Sequence, residues 1–361
     1  MGVRGSQCYN DAMAEIDARD HRFLARRRDE WYPVCRGGRL RARPLGAMLF
    51  GTPVVVFRAT DGTPAALLDR CPHRNVPLSL GRVRGDHLKC VYHGWEFDRE
   101  GRCRLVPGLP GEPREHERGV TAFPARESQG FVWVYPVPDS TPAREPFRFP
   151  CVGEPGYTSA REELEVRASL HATAENALDV PHTAFLHGGL FRSESRARRE
   201  VEVIVRRFAD RVEAEYMGES RPPGVVAKLL APRGGAVVHV DRFILPSIAQ
   251  VEYRLGDSHL CVSAALTPVE DYRTRLFVTF SFRLPFPGWA VKPLLRPFAL
   301  RVFRQDAWML ARQTETIQRF GEERYKFTGI DVLGAEIFDL LRRGRAMDGA
   351  PVVERRLIMA V

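Results

Sequence analysis

Two cysteines and two histidines form a pair of short clusters in the first third of the chain. Cys71-Pro72-His73 is followed, after sixteen residues, by Cys90-Val91-Tyr92-His93. Thiolate and imidazole groups are the ligands that zinc ions and iron–sulfur clusters use in proteins. The spacing therefore predicts a metal site built from Cys71, His73, Cys90 and His93.

The order of the ligands separates two kinds of metal site. Zinc modules usually pair Cys with Cys and His with His, a few residues apart. Here each cluster contains one Cys and one His, which favours a [2Fe–2S] cluster with two thiolates on one iron and two imidazoles on the other. Neutral imidazole removes negative charge from the reducible iron, and this raises its potential above that of all-thiolate ferredoxins. A zinc-stabilised binding protein is the alternative.

A second group of polar residues lies on an otherwise apolar segment. Asn176, Asp179 and His182 are three residues apart, so a helix would place them along one face. Pro181 should disturb that helix and let His187 reach the same point. Two histidines at one point suggest that a carboxylate completes a 2-His-1-carboxylate triad. Such a triad leaves three positions at Fe(II) open for O2 and substrate.

These residues need two different folding units to hold them. Short β-branched and aromatic runs with Gly and Pro between them predict a small antiparallel β domain as far as Val137. Five prolines in the fifteen residues 136–150 predict a linker. A helix is then expected over about 162–186, long strands over 199–283 and another helix over 300–320, an α+β arrangement. The predicted organisation is a helical segment at 1–30, the β domain at 31–137, the linker at 138–150 and a catalytic domain at 151–361.

The composition excludes several classes of protein. The 361 residues are 44% hydrophobic, and 54 Lys+Arg against 45 Asp+Glu give a charge of +9 that is spread along the chain, so no nucleic acid partner is predicted. Seven cysteines are too few for a disulfide scaffold, the first residues contain no apolar signal segment, and no run of 18 apolar residues occurs. We therefore expect a cytoplasmic protein, neither secreted, disordered nor integral to a membrane.

The first cluster resembles a known motif. The block CPHRNVPLSLGRVRGDHLKCVYHGWEFDREGRC, residues 71–103, is similar to the Rieske motif of the ring-hydroxylating and related Rieske non-haem iron oxygenases, although Val91 stands where proline is frequent. The resemblance extends over nearly the whole chain. It implies a Rieske antiparallel β domain followed by a helix-grip (START-like) domain, whose large antiparallel sheet is flanked by helices.

The resemblance also implies roles for the second group. The family motif N-x-x-D-x-x-H makes His182 and His187 ligands of a mononuclear Fe(II), and its third ligand corresponds by context to Asp306. Asp241 and Asp271 are weaker candidates for that ligand. Asp179 is then a bridge that links His182 to His93 of the partner subunit, and Asn176 lies near the open coordination face.

The implied activity is that of a terminal oxygenase. It would use O2 and external electrons to hydroxylate or demethylate a hydrophobic cyclic molecule, aromatic or sterol-like, as a homotrimer served by a separate NAD(P)H-dependent reductase or ferredoxin. An electron carrier or redox sensor with only the Rieske centre is the alternative. Residues 285–303 mix large apolar groups with basic ones, so peripheral membrane contact there is a further hypothesis, less favoured than a helix lining the approach to the pocket.

Overall fold

The chain divides into two compact units in a computed structural model that describes residues 27–113, 115–187, 200–219, 231–232, 234–343 and 353–360. Of the described residues, the first unit contains those from Arg27 to Arg148 together with Thr267–Glu270, and the second contains those of Phe149–Leu266 and those from Asp271 onward. Most of the predicted helical segment at 1–30 lies outside the described residues. The predicted linker, 138–150, contains no helix or strand.

The first unit consists of three small antiparallel sheets. One has the order β1-β11-β10, another β2-β3-β4-β9 and the third β5-β6-β7-β8. Its buried cores are formed by aliphatic and aromatic side chains, among them Val55, Phe57 and Phe97. The strands are β1 (Tyr32–Arg36), β2 (Leu45–Leu49), β3 (Thr52–Arg58), β4 (Pro64–Leu68), β5 (Arg82–Arg84), β6 (His87–Lys89), β7 (Glu96–Phe97), β8 (Cys103–Leu105), β9 (Ala122–Phe123), β10 (Ala125–Ser128) and β11 (Phe131–Val134).

The second unit is built around an eight-stranded sheet with the order β12-β18-β17-β16-β15-β14-β13-β19. The strands are β12 (Thr158–Val166), β13 (Glu200–Arg207), β14 (Arg211–Met217), β15 (Val237–Ile244), β16 (Ile248–Leu255), β17 (Ser258–Glu270), β18 (Arg273–Arg283) and β19 (Val353–Ala360). The helices are α1 (Leu170–Leu178), α2 (His182–Phe185), α3 (Lys292–Phe320) and α4 (Gly334–Arg343). The predicted α+β architecture, a β domain followed by a large antiparallel sheet flanked by helices, is confirmed.

One face of the large sheet packs against the helices, and we call it the inner face. Strand residues such as Val203 and Val278 share a buried core there with Leu178 of α1 and Leu340 of α4. Because side chains alternate along a strand, every second residue of each strand faces this core. The inner face therefore positions the helices that carry the second group of polar residues.

The expected helix over 162–186 is wrong in its first part. Residues Thr158–Val166 form β12, which pairs with β18 along its whole length. Glu165 makes a cross-strand ion pair with Arg275 at 2.7 Å, and Glu162 pairs with Arg296 of α3 at 2.8 Å. Partners that are distant in sequence therefore stabilise a charged edge strand that local propensity favours as helix.

Helix α3 starts earlier than expected and ends as predicted at Phe320. It follows a short 3-10 turn at Gly288–Ala290, where Trp289 is 75% exposed. Among the described residues, no helix has the length and apolarity needed to span a membrane.

Candidate metal centres

The structure brings the four residues of the first cluster together in the first unit. Cys71 lies on the loop after β4, and Cys90 comes directly after β6; both side chains are buried. The imidazole rings of His73 and His93 lie beside them, with centroids 4.5 Å apart and an angle of 64° between the rings. Each loop thus contributes one thiol and one imidazole, as the sequence predicts.

The surroundings of these four side chains fit a Rieske [2Fe–2S] cluster. The His73 Nδ1 atom is buried and has no hydrogen-bond partner among the described residues, as expected of a nitrogen that binds a metal. Burial and the adjacent Cys90 thiol raise the pKa of Cys71 to about 11, whereas the backbone N–H groups of His73 and Arg74 donate toward its sulfur. Cluster thiolates accept such N–H groups, and a bound cluster removes the proton altogether.

Aromatic packing holds the histidine edge of this site. The Trp95 indole stacks on the His73 ring at a centroid distance of 4.8 Å and an angle of 6°. Phe97 lies 6.5 Å beyond Trp95 and is fully buried. The stack fixes the orientation of His73 and keeps water away from that side of the site.

The second group of polar residues is positioned by a break between two helices. Helix α1 is capped by Ser169, whose side chain accepts a hydrogen bond from the Ala172 N–H, and it ends at Leu178. Asp179 has extended backbone geometry, and its carboxylate accepts from the backbone N–H of His182 at 3.2 Å. The helix is interrupted before His182, as predicted, but the interruption begins at Asp179. Asn176, Asp179 and His182 therefore do not lie along one face of a continuous helix.

His182, His187 and Asp306 converge on one point in the second unit. The two histidine Nε2 atoms are 3.3 Å apart, and Asp306 Oδ1 lies 3.5 Å from that of His182 and 2.9 Å from that of His187. Ligand atoms about 2.1 Å from a metal and at right angles to each other lie about 3 Å apart. The triangle therefore has the dimensions of one face of an octahedral metal site, and these three residues are a group that could hold a metal ion.

The hydrogen bonds behind this triangle set the protonation of both rings. The His187 Nδ1–H donates to Gln305 Oε1 at 3.0 Å, and the His182 Nδ1–H donates to the Asp179 backbone carbonyl. In the neutral rings, both Nε2 atoms then carry lone pairs that point at Asp306. Asp306 Oδ1 is buried and has no hydrogen-bond partner among the described residues. Three lone pairs that face each other fit a bound cation.

The charge around His182 also favours a cation. Burial lowers the pKa of His182, but its contacts with Asp179 and Asp306 outweigh burial and raise the pKa to about 9. Two carboxylates within 3.5 Å of the ring produce this effect. The same negative charge attracts a metal ion, which would take the place of the proton on Nε2.

The other predicted site residues lie outside the triangle. Asn176 is half-buried in α1, Asp271 is exposed at the turn between β17 and β18, and Asp241 is buried on β15 beside His239. Sequence reasoning missed Gln305, which contacts a histidine 118 residues earlier. Its position next to Asp306 is the one feature of the sequence that could have indicated this role. No spacing rule predicts a contact between an amide on one helix and a histidine ring so far away in sequence.

A buried carboxyl group near Asp179, that of Glu175, makes the stability of the fold depend on pH. Burial, with smaller contributions from Asp179 and Asp331, raises the pKa of Glu175 from 4.5 to about 8. An acid with a raised pKa binds its proton more tightly in the folded state, so this contribution to stability is lost as pH rises from about 4.5 to about 8. We expect Glu175→Gln to raise the urea midpoint of unfolding more at pH 8 than at pH 5.5.

The exposed Glu322 provides the control for this measurement. Glu322→Gln should shift the urea midpoint equally at both pH values. If the urea midpoint of the Glu175→Gln protein depends on pH as that of the unmodified chain does, the carboxyl group of Glu175 is already ionised in the folded state. The group lies against Gly334, where an added Cβ would be 2.0 Å from Glu175 Oε1.

Each of the two units contains a segment that matches a known protein family. Residues 30–124 match the Rieske [2Fe-2S] domain, and residues 166–342 match the vanillate O-demethylase oxygenase C-terminal domain. The oxygenase component of dicamba O-demethylase from Stenotrophomonas maltophilia is 35% identical over 182 residues, 49% of this chain and 52% of that protein. Methylxanthine N1-demethylase NdmA from Pseudomonas putida is 29% identical over 267 residues, 70% of this chain and 72% of that protein.

Solved structures show the same fold. The crystal structure of dicamba monooxygenase bound to dicamba has a TM-score of 0.74 at 23% identity and covers 88% of this chain and 97% of that chain. NdmA of Pseudomonas putida CBB5 with caffeine has a TM-score of 0.72 at 25% identity over 90% of this chain. The sequence alignment with dicamba O-demethylase spans about half the length of that relative. With a Rieske domain followed by an oxygenase domain of the vanillate O-demethylase type, the chain belongs to the Rieske oxygenases.

Proposed function

We propose that the chain is the terminal component of an oxygenase that hydroxylates or oxidatively demethylates a hydrophobic cyclic molecule. The observation that carries the proposal is the triangle of His182, His187 and Asp306 in a chain that also contains the four Rieske ligands. Three protein ligands on one face leave three coordination positions for O2 and substrate. Mononuclear iron bound there would supply the O2-activating chemistry.

The chain's own residues orient and stabilise this site. Asp179 holds His182 by its backbone carbonyl and its carboxylate, so it is a positioning residue. Gln305 holds His187 in the tautomer whose Nε2 faces Asp306. His187 is 1% exposed, which keeps water from that side of the triangle. Asn176, half-buried on α1, is proposed to lie near the open coordination face.

Electrons are proposed to reach the Rieske cluster from a separate NAD(P)H-dependent reductase or ferredoxin. The sequence contains no dinucleotide-binding G-x-G-x-x-G motif after a strand. By resemblance to the family, we propose a homotrimer in which Asp179 connects His182 with His93 of the partner subunit. Since Asp179 is only partly buried, with 31% of its side chain exposed, it is accessible for such a contact.

Turnover under labelled oxygen tests the proposed function. The purified chain, reconstituted anaerobically with ferrous iron and a surrogate reductase, is given NADH, ¹⁸O2 and a panel of cyclic compounds. We expect a product that contains ¹⁸O, or a demethylated product with ¹⁸O in the released aldehyde, and no product without reductase. A chain that accepts electrons, binds no mononuclear iron and forms no product would be an electron carrier.

Removal of the Gln305 hydrogen bond should weaken metal binding. Gln305→Leu leaves the His187 Nδ1–H without its acceptor, and loss of such a partner typically costs 10–100-fold in metal affinity. We expect this loss in a titration of the apo mononuclear site with Co(II), together with a changed visible spectrum of the bound Co(II). Gln318→Leu, an exposed residue of the same helix, is the matched control. If the Gln305→Leu protein binds Co(II) with unchanged affinity, the His187 ring has another orientation.

A further inference from the structure

The two strands that flank one loop of the first cluster have an apolar face and a charged face. Leu88 of β6 and Phe97 of β7 are opposite each other and fully buried in the core. Lys89 and Glu96 are the next pair along these strands, so their side chains lie on the other face. The loop between the strands, residues 90–95, contains two of the four predicted cluster ligands. A lysine and a carboxylate thus stand at its two ends.

Glu96 is a buried carboxylate with two cationic partners. Its Oε1 lies 3.2 Å from Lys89 Nζ and 3.4 Å from Arg84 Nη1, and its Oε2 lies 3.6 Å from His87 Nδ1. An ionised carboxylate is costly to bury unless it is paired, and these cations provide the pairing. With His87 neutral, the group has an excess of one positive charge.

The two cations differ in their contact with solvent. The Arg84 side chain is 68% exposed, whereas that of Lys89 is 17% exposed. Water and salt screen an exposed charge strongly and a partly buried charge much less. Lys89 is therefore the cation whose field acts on its surroundings within the fold.

The Lys89 side chain lies against the turn that contains the predicted ligands. A Cβ added to Gly94 would be 3.2 Å from Lys89 Cε and 3.7 Å from Lys89 Nζ. Gly94 directly follows His93, has a φ of 74°, and its N–H donates to the Cys90 carbonyl at 3.2 Å. This left-handed conformation suits glycine and closes the turn tightly. The ammonium group is thus held between Glu96 and the turn from Cys90 to His93.

We propose that Lys89, held in place by Glu96, raises the reduction potential of the [2Fe–2S] cluster by its charge. Uptake of one electron adds a negative charge to the cluster, and a fixed positive charge nearby stabilises the reduced form. Glu96 fixes the ammonium group and cancels part of its field. Lys89 thereby adds to the effect of the imidazole ligands and favours the acceptance of electrons from the external donor. The proposal concerns the Rieske cluster alone and does not depend on the mononuclear site.

Redox titration of the cluster tests this effect without turnover. The purified holoprotein, without substrate, is titrated with dithionite at pH 7 in the presence of mediators, and the midpoint is read from the visible absorption. Lys89→Met keeps an unbranched side chain and removes the charge, while Glu96 retains Arg84 as a partner. We expect this variant to lower the equilibrium constant for reduction about tenfold, a midpoint about 59 mV lower for one electron.

Three further variants separate charge from packing. Lys89→Arg keeps the charge and should keep the midpoint. Glu96→Gln removes the carboxylate and leaves both cations, so the equilibrium constant should rise about threefold. Arg41→Met removes one exposed charge between β1 and β2, strands of the other two sheets, and should leave the midpoint unchanged. The Lys89→Met shift should persist in about 1 M NaCl, where exposed charges are screened within about 3 Å.

Several results would overturn the proposal. The midpoint of Lys89→Met could be unchanged, could shift only at low salt, or could shift in the same direction as that of Glu96→Gln. A change in the shape of the EPR spectrum in both Lys89 variants would instead mean that the residue acts on the structure of the loop. If Glu96→Gln does not fold, the two Lys89 variants decide the question. A failure of this test leaves the oxygenase function in place, because the ¹⁸O product is measured separately.

Discussion

Replacement of Asp306 with alanine is expected to remove the mononuclear metal and to lower turnover by more than about a hundredfold. Asp306 supplies the carboxylate of the triangle, with Oδ1 2.9 Å from His187 Nε2. Without it, two neutral imidazoles remain, and the charge that attracts the cation is reduced. Metal analysis of the variant after anaerobic loading should show the iron of the [2Fe–2S] cluster alone.

A second carboxylate of the same helix is the control for this substitution. Glu315 lies on α3, where it pairs with Arg167 and Arg312 at the surface. Glu315→Ala should retain the mononuclear metal and the turnover. An Asp306→Ala protein with full ferrous loading would mean that another carboxylate, such as Asp241, completes the site.

Loss of one thiol of the first cluster should have an equally large effect on a different step. We expect Cys71→Ser to abolish the [2Fe–2S] cluster, its visible absorption and all reductase-dependent turnover, because a hydroxyl group is a poor substitute for a thiolate ligand. The mononuclear site should still bind ferrous iron, since its residues belong to the other unit. The visible spectrum and the iron and sulfide content of the purified variant measure this outcome.

Cys103 offers a matched control for the thiol substitution. It is buried in the same core as Cys71 and Cys90, and its thiol lies 3.9 Å from the Leu105 carbonyl. Cys103 is not one of the four predicted cluster ligands, so Cys103→Ser should keep the cluster and the colour. Loss of the cluster in both variants would mean that the effect of Cys71→Ser comes from damage to the core.

The metal-ligand patterns could be read from the sequence because they are local. A mixed Cys–His pair on each of two loops specifies its chemistry by residue type, and Cys71, His73, Cys90 and His93 are in fact neighbours. Asp306 is 119 residues beyond His187, and no local pattern connects them; its assignment depended on the family resemblance. The structure brings the two together through the packing of α3.

The features that the sequence did not reveal depend on tertiary contacts. Strand β12 resembles a helix locally and is held as a strand by its pairing with β18. Gln305 on α3 and Asp241 on β15 lie on regular elements with no distinctive spacing, so only the fold shows that they contact the rings of His187 and His239. Polar residues that face a core from a strand are a useful signal, but alternation alone does not show which face is buried.

The metal content and the EPR spectrum of one anaerobically loaded sample test the central claim most directly. A Rieske cluster together with a mononuclear site gives about three irons per chain. We expect this content and, after reduction with dithionite, the rhombic EPR spectrum of a mixed-ligand [2Fe–2S] cluster. A colourless sample that contains zinc, or a sample with about two irons and no further ferrous binding, would contradict the paired-metal account.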